Sequence, residues 1–433
     1  MPLRKRDAWS VLAYTIGDDK GGFHAIDQST ENDVAAICWA ADFCRVRVAL
    51  QLDLKRHPGV YRATLTPRPR PSGLEGRKPR AATRKARQRR AFHDVDPRKR
   101  NFWRAIAHKL EQSDVRLQED RTHLDAASGG VLRRFLDFGR RACPAERFVL
   151  HFSGHSFGPM GMFYDSRTGA SSPHVLRLTH LARALTSKDG PIEVVLFRDC
   201  FMDTLEAACE LHGAVRFMIA TQAQAPILGV WPWPNLLSVL TPSVDSADAA
   251  RSLALQMEDF FNHKSGLGAL HVVPCALIDI ESAQQVTRPL ERLVGALSKA
   301  RRDAARRRAC GMALERARLG QNVGYSRPGD PALLDVPTMC RNLQELRDDP
   351  VAPLAQALGD VVRNRIITSF HVSHGPFRGL GLYYRPTTRR DLEASFVQAD
   401  DERDRRSDER YYRSLALSRA TGWDQIALNP LGA

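Results

Sequence analysis

Two short apolar segments constrain the fold of this 433-residue chain most strongly, because polar residues follow each of them directly. The first, FVLHFSGHS, spans residues 148–156, and the second, VVLFRDCFM, spans residues 194–202. Short apolar runs that end at turn-forming residues are typical of buried parallel β-strands. In open α/β sheets, reactive side chains gather where the carboxyl ends of such strands meet. The pattern therefore predicts that His155 and Cys200 follow adjacent strands and share one site.

Predicted strands and helices alternate along the first 240 residues, which is the pattern of an α/β fold. We predict a mostly parallel sheet with helices on both of its faces. Besides the two apolar segments, the predicted strands cover residues 9–16, 46–53, 59–65 and 216–221, and the predicted helices cover residues 29–41, 131–142, 176–185 and 204–211.

The pattern changes beyond about residue 240, where long amphipathic stretches predict a mainly helical C-terminal region. We accordingly divide the chain into a first part of the α/β domain (1–65), an insertion (66–100), the part that carries both apolar segments (101–240) and the C-terminal region (241–433). In this last region, helices are predicted over residues 246–261, 280–308 and 351–366, and strands return at 366–372 and 380–384.

Most of the net charge of +15 lies in the insertion at residues 66–100, which holds thirteen Lys and Arg against three Asp and Glu. The segment is rich in proline and poor in large apolar residues, so we predict that it is disordered. Three roles are open for it: a solvated loop, a segment that is cut during activation, or an anchor for nucleic acid or an acidic partner.

Composition also restricts the location of the chain. The basic N-terminus is followed by a short, interrupted apolar run, so no signal peptide is expected, and no window predicts a membrane span or a membrane partner. The eight cysteines form no CxxC pair, so we predict reduced thiols, a cytoplasmic location and no bound metal.

His155 and Cys200 together point to nucleophilic chemistry, although a single cysteine at a strand end is usually a small core residue. A thiol needs a base or an electropositive environment to act as a nucleophile, and an imidazole can supply this and also protonate a leaving amine. Backbone N–H groups that follow the two strand ends face the same crevice, where they could stabilise an oxyanion.

The sequence resembles the clostripain-like cysteine peptidases, which share the caspase-type fold. The resemblance follows the chain in order and covers nearly its whole length. It is carried by WSVLAY (9–14) with Asp18 and Asp19, CPAERF (143–148), DCFMDTLEAACEL (199–211), IATQ (219–222), GVWPW (229–233), GLGLYYRP (379–386), Tyr411 with Tyr412, and Gly422 with Trp423.

By this resemblance, the chain is a cysteine endopeptidase that cuts proteins or peptides. Cys200 is then the nucleophile, His155 is the general acid and base, and the backbone N–H groups of Ser156 and Cys200 form the oxyanion hole. The reaction passes through a thioester acyl-enzyme. No cofactor is expected apart from the calcium that some relatives use. The resemblance assigns substrate binding to the residues around the nucleophile and in the following loop: Arg198, Asp199, Thr221, Gln222, Trp231 and Trp233.

Two residues depart from the family pattern. Ser156 replaces the glycine that usually follows the histidine, and Arg198 replaces the acidic residue that reads a basic P1 side chain, the substrate residue on the amino side of the cut bond. Asp199 lies one position later and, by strand alternation, points to the other face. An acidic P1 residue that pairs with Arg198 is therefore favoured over a basic one, and both remain open.

Two alternatives follow from the same residues. A catalytically weak or inactive protein with this fold could instead act as a binding or regulatory protein through its basic insertion. His374 lies in a Ser-His-Gly sequence that resembles the caspase-type motif more closely, but its position after Cys200 disfavours it. Trp231 and Trp233 could be core aromatics or a wall of the substrate cleft. The oligomeric state is not predicted.

Overall fold

A computed structural model describes residues 7–17, 24–54, 57–67, 116–120, 125–165, 174–225, 231–260, 273–319, 333–371, 377–385 and 402–431. The described residues contain thirteen strands. In chain order they are β1 (Asp7–Ile16), β2 (Arg47–Leu54), β3 (His57–Leu65), β4 (Arg116–Asp120), β5 (Ala145–Ser153), β6 (Met162–Asp165), β7 (His174–Leu176), β8 (Ile192–Phe197), β9 (Val215–Ala220), β10 (Cys275–Asp279), β11 (Leu333–Asp335), β12 (Ile367–His371) and β13 (Gly381–Tyr383).

Nine of these strands form the central sheet, in the spatial order β12-β10-β9-β8-β5-β1-β2-β3-β4. The five strands from β9 to β2 run parallel. Two antiparallel strands extend the sheet on each side, β10 and β12 next to β9, and β3 and β4 next to β2. The predicted mostly parallel sheet is confirmed, and β5 and β8 are adjacent at its centre.

Thirteen α-helices accompany the sheet in the described part of the chain. They are α1 (His24–Cys44), α2 (Gly129–Ala142), α3 (Leu178–Leu185), α4 (Leu205–Glu210), α5 (Trp233–Ser238), α6 (Ser246–Asp259), α7 (Thr287–Ala300), α8 (Ala304–Glu315), α9 (Val336–Gln344), α10 (Val351–Val361), α11 (Glu402–Ser414), α12 (Ala416–Thr421) and α13 (Asp424–Ala427). No helix among the described residues is both long and apolar enough to span a bilayer.

The sheet separates two hydrophobic cores, because successive side chains of a strand point to opposite faces. Leu150 and Phe152 of β5 lie in the core that also contains Leu293 of α7 and Trp423. Val149 of β5 lies in the opposite core, beneath α1, α5 and α6. The C-terminal helices thus share a core with the central strands.

The structure differs from the sequence prediction at several elements. The helix expected over residues 280–308 is two helices, α7 and α8, because Asp303 caps α8 by accepting a hydrogen bond from the backbone N–H of Arg306. The strands β4, β6, β7, β10 and β11 and the helices α5, α9, α11, α12 and α13 were not predicted. The insertion at residues 68–100 and His374 lie outside the described residues.

Candidate active site

The two central strands bring His155 and Cys200 to the same edge of the sheet. The parallel register of β5 and β8 pairs Phe152 with Phe197, and the backbone N–H of Arg198 donates to the carbonyl of Phe152 at 2.9 Å. His155 and Cys200 each follow these paired phenylalanines by three residues. Both side chains are partly exposed, as a site open to substrate requires.

A hydrogen bond joins the segments that carry these two residues. The Ser156 hydroxyl donates to the carbonyl oxygen of Cys200 at 2.5 Å and accepts a hydrogen bond from the Gly158 N–H at 3.2 Å. The next turn is held by a bond from the Phe163 N–H to the His155 carbonyl at 2.7 Å. The Ser156 side chain therefore links the segment that follows β5 to the segment that follows β8.

We expect Ser156→Ala to lower kcat by about fivefold with little change in KM, because one hydrogen bond of about 1 kcal/mol no longer fixes the two segments. Steady-state kinetics on a fluorogenic peptide would measure this. Ser238→Ala, an exposed serine elsewhere, is the matched control. Unchanged kcat in Ser156→Ala would show that the hydroxyl does not position the site.

Backbone hydrogen bonds also fix the segment around Cys200. The Ala225 N–H donates to the Cys200 sulfur at 3.2 Å, and a donor of this kind stabilises negative charge on a thiolate. Phe201, which follows directly, has φ of +56° and donates to the Ala223 carbonyl at 3.0 Å. A bulky residue in the left-handed region is strained, and such strain persists where the surrounding structure holds it.

The remaining cysteines have a different environment. None of the eight cysteines forms a disulfide, and Cys38, Cys44 and Cys200 alone are partly exposed. Burial raises the pKa of the five buried thiols. The pKa is raised to about 11 for Cys310 and to about 12 for Cys143, Cys209, Cys275 and Cys340. Such thiols are poor nucleophiles at neutral pH.

Arg198 does not lie in an open pocket. Its guanidinium forms an ion pair with Asp33 of α1, and the two side chains are only 5% and 10% exposed. The Asp33 carboxylate also accepts a hydrogen bond from the Trp231 N–H at 2.8 Å. Burial lowers the pKa of Arg198 to about 9, and the neighbouring Asp199 opposes this shift. The sequence predicted that the positive charge of Arg198 would pair with an acidic P1 residue. In the structure, Asp33 already compensates this charge.

Trp231 and Trp233 are core residues, with 3% and 2% of their surface exposed. Their rings contact His151 of β5 edge-on, at centroid distances of 4.8 and 4.7 Å. The Arg198 guanidinium lies 5.8 Å from the centre of the Trp231 ring. The two tryptophans therefore support Arg198 and His151 from inside the fold, and direct contact of either with a substrate stays a prediction.

Burial of His151 should lower the free energy of unfolding in mild acid. Burial lowers its pKa from 6.5 to about 3, so the folded state keeps the ring neutral while the unfolded chain binds a proton below pH 6.5. Stability is therefore lost as the pH falls from 6.5 towards 3, by about 2 kcal/mol at pH 5. Urea unfolding at pH 8 and pH 5 should show that His151→Leu loses about 2 kcal/mol less than the wild type. His212→Gln, at an exposed histidine, should lose as much as the wild type.

Thr221 and Gln222 connect the end of β9 to the nucleophile segment and to the C-terminal region. The Thr221 carbonyl accepts a hydrogen bond from the Asp203 N–H at 3.1 Å. The buried Gln222 side chain donates to Asp335 at 3.1 Å and accepts from the Gly379 N–H at 2.9 Å. These contacts are structural, so the substrate-binding role that the resemblance gives these two residues stays a prediction.

Buried carboxyl groups lie on both sides of Cys200 in the chain. Asp199, Asp203 and Glu206 are fully buried, and burial raises the pKa of each above its ordinary value, to about 7 for Glu206. Glu206 accepts hydrogen bonds from the Tyr383 N–H at 2.9 Å and the Tyr412 hydroxyl at 2.7 Å. It thereby attaches α4 to the C-terminal region.

The described residues do not fit a metal site. They contain no group of three or more His, Cys, Asp or Glu side chains arranged to hold a metal ion. We therefore derive no catalytic step through calcium, and a calcium requirement stays a prediction of the resemblance.

Asp33 is the site residue that the sequence analysis missed. It lies in α1, more than 160 positions before Arg198, inside a stretch where helical periodicity was the only signal. Acidic residues in an amphipathic helix normally indicate a solvated face. Only the packing of α1 against the end of β8 brings it to Arg198.

Comparisons with known proteins agree with this architecture. A secreted C11 cysteine protease from Bacteroides thetaiotaomicron, solved with an irreversible peptide inhibitor, matches with a TM-score of 0.60 and 12% identity over 96% of this chain and 99% of that one. An inactive zymogen C11 protease from Parabacteroides distasonis matches with a TM-score of 0.62 and 11% identity over 97% and 99%. These similarities establish the fold, and no curated protein sequence matches the chain.

The family is established by sequence. The family model of the clostripain family, Peptidase_C11, matches residues 104–332, which is just over half of the chain and includes both His155 and Cys200. Fold and sequence thus agree, and the chain belongs to the clostripain family of cysteine endopeptidases.

Proposed function

We propose that the protein hydrolyses peptide bonds with Cys200 as the nucleophile and His155 as the general acid and base. The main support is that His155 and Cys200 each follow one of two adjacent parallel strands by the same number of residues. In addition, the Ser156 hydroxyl donates a hydrogen bond to the Cys200 carbonyl. The Ala225 N–H, which donates to the sulfur, supports a thiolate at this position. Proteins or peptides are the substrates, and a cytoplasmic location is part of the same proposal.

The reaction proceeds in two steps. The Cys200 thiolate attacks the scissile carbonyl carbon, a C–S bond forms, and the negative charge on the oxygen is stabilised by the backbone N–H groups of Ser156 and Cys200. The C–N bond then breaks as protonated His155 gives its proton to the leaving amine, which yields a thioester. Water next attacks the thioester while His155 accepts a proton from it. The C–S bond breaks, and the acid product and the Cys200 thiolate are released.

Alkylation by iodoacetamide tests the nucleophile without any assumption about substrate specificity. At a small excess of reagent and neutral pH, we expect one rapid addition, which peptide mapping assigns to Cys200. Cys200→Ala should lose it, and His155→Ala should slow it at least tenfold because the base is gone. Cys44→Ala is the matched control, since Cys44 is also partly exposed but lies on α1. Rapid addition at another cysteine would contradict the proposal.

A further inference from the structure

We infer that Asp33 determines specificity and makes the enzyme select substrates with an uncharged P1 residue. It does so by compensating the Arg198 charge inside the fold. This inference rests on the proposed function, because it concerns the residue whose carbonyl Cys200 attacks. It departs from the expectation, drawn from Arg198 alone, that a charged P1 residue is preferred.

The ion pair is built into the structure from both sides. One Asp33 carboxylate oxygen contacts the Arg198 guanidinium, and the other accepts the hydrogen bond from the Trp231 N–H at 2.8 Å. The Arg198 backbone is itself fixed by its bond to the Phe152 carbonyl. Asp33 thus has a separate partner for each oxygen, and a rotation that exposes it would break both contacts.

The pair is also close to the reaction. Arg198 precedes Cys200 by two residues, so their Cα atoms lie at most about 7 Å apart. In the acyl-enzyme, the carbonyl carbon of the P1 residue is bonded to the Cys200 sulfur, and the adjacent Cα carries the P1 side chain. That side chain is consequently within reach of position 198 and of the buried pair that Arg198 forms with Asp33.

The charges of Arg198 and Asp33 determine which P1 side chain can bind next to them. An acidic P1 residue has to compete with Asp33 for the guanidinium, and a basic one meets a carboxylate that Arg198 already compensates. Either charge would lose its hydration at a buried pair without gaining a partner, and such desolvation is costly. The adjacent Asp199 is also fully buried, and burial raises the pKa of its carboxyl group well above the ordinary value. An uncharged P1 residue avoids this cost.

Two reciprocal variants test the inference in the full chain. Asp33→Asn keeps an oxygen acceptor for the Trp231 N–H but removes the negative charge, so Arg198 is left uncompensated. We expect the ratio of kcat/KM for P1 Glu over P1 Gln to rise at least tenfold. Arg198→Gln leaves Asp33 uncompensated, and the ratio for P1 Lys over P1 Met should rise at least tenfold. The double variant, which carries neither charge, should return to the preference of the wild type for Gln and Met.

Peptides that differ only at P1 provide the readout, and urea midpoints show that each variant is folded. Preference of the wild type for a charged P1 residue would overturn the inference, as would unchanged ratios in both single variants. Binding separates this inference from the proposed function. Fluorescence anisotropy of the same labelled peptides is measured on Cys200→Ala with and without Asp33→Asn. The same tenfold shift towards P1 Glu in binding would support the inference even if no turnover occurs, and no shift would overturn it.

Discussion

Cys200→Ala is expected to lower kcat/KM on peptide substrates by on the order of 10⁴-fold or more, because the substitution removes the proposed nucleophile. His155→Ala should cause a loss of similar size, since the two residues act as a unit. The double variant should therefore be no worse than either single one. Initial rates on a fluorogenic peptide that the wild type cleaves would measure all three losses.

The controls for this expectation come from the other cysteines. Cys44→Ala removes a partly exposed thiol remote from the sheet edge, and Cys340→Ala removes a buried one whose pKa is raised to about 12. Cys44→Ala should keep full activity, and Cys340→Ala should change stability more than catalysis. Substantial cleavage by Cys200→Ala, with loss of cleavage in either control, would assign the nucleophile elsewhere.

Trp423→Ala is expected to lower the free energy of unfolding by about 4 kcal/mol, the range for truncation of a buried tryptophan. The indole is fully buried, and its N–H donates to the Tyr383 carbonyl at 2.9 Å. The substitution leaves a cavity in the core that also contains Leu150 of β5. Urea unfolding followed by circular dichroism would measure the loss.

The matched control is Leu255→Ala, which truncates a large apolar side chain that is about half exposed, 49%, and should cost less than about 1 kcal/mol. A single unfolding transition is expected in both variants, since the C-terminal helices share their core with the central strands. A separate early transition in Trp423→Ala would show that the C-terminal region unfolds on its own.

The same C-terminal region also reaches the nucleophile segment. The Gly381 N–H of β13 donates to the Asp203 carbonyl at 2.9 Å, and Glu206 accepts bonds from Tyr383 and Tyr412. Loss of Trp423 should therefore lower kcat as well as stability at temperatures where the variant is still folded. The helices after residue 240 help to hold the nucleophile in place.

The central part of the fold could be predicted because its signals are local. Buried parallel strands are short, continuous apolar runs, and the polar residues that follow them identify the edge at which they end. This placed His155 after β5 and Cys200 after β8 before their adjacency was known. The short strands β6, β7 and β11 lack such a run, and β10 pairs antiparallel with β9, so their positions depend on partners distant in sequence.

The sequence by itself determined the family, the alternating α/β architecture and the two residues that we propose for catalysis. This was possible because strand ends and ordered motifs are recognised in short stretches of sequence. Only the tertiary structure decided the state of Arg198. Its partner Asp33 lies on a helix more than 160 positions earlier, and packing across the sheet brings them together. The same holds for His151, whose pKa is lowered by burial beneath two tryptophans from a later part of the chain. Charge at a buried site is set by whatever groups surround it, and these groups come from elements that no local pattern connects.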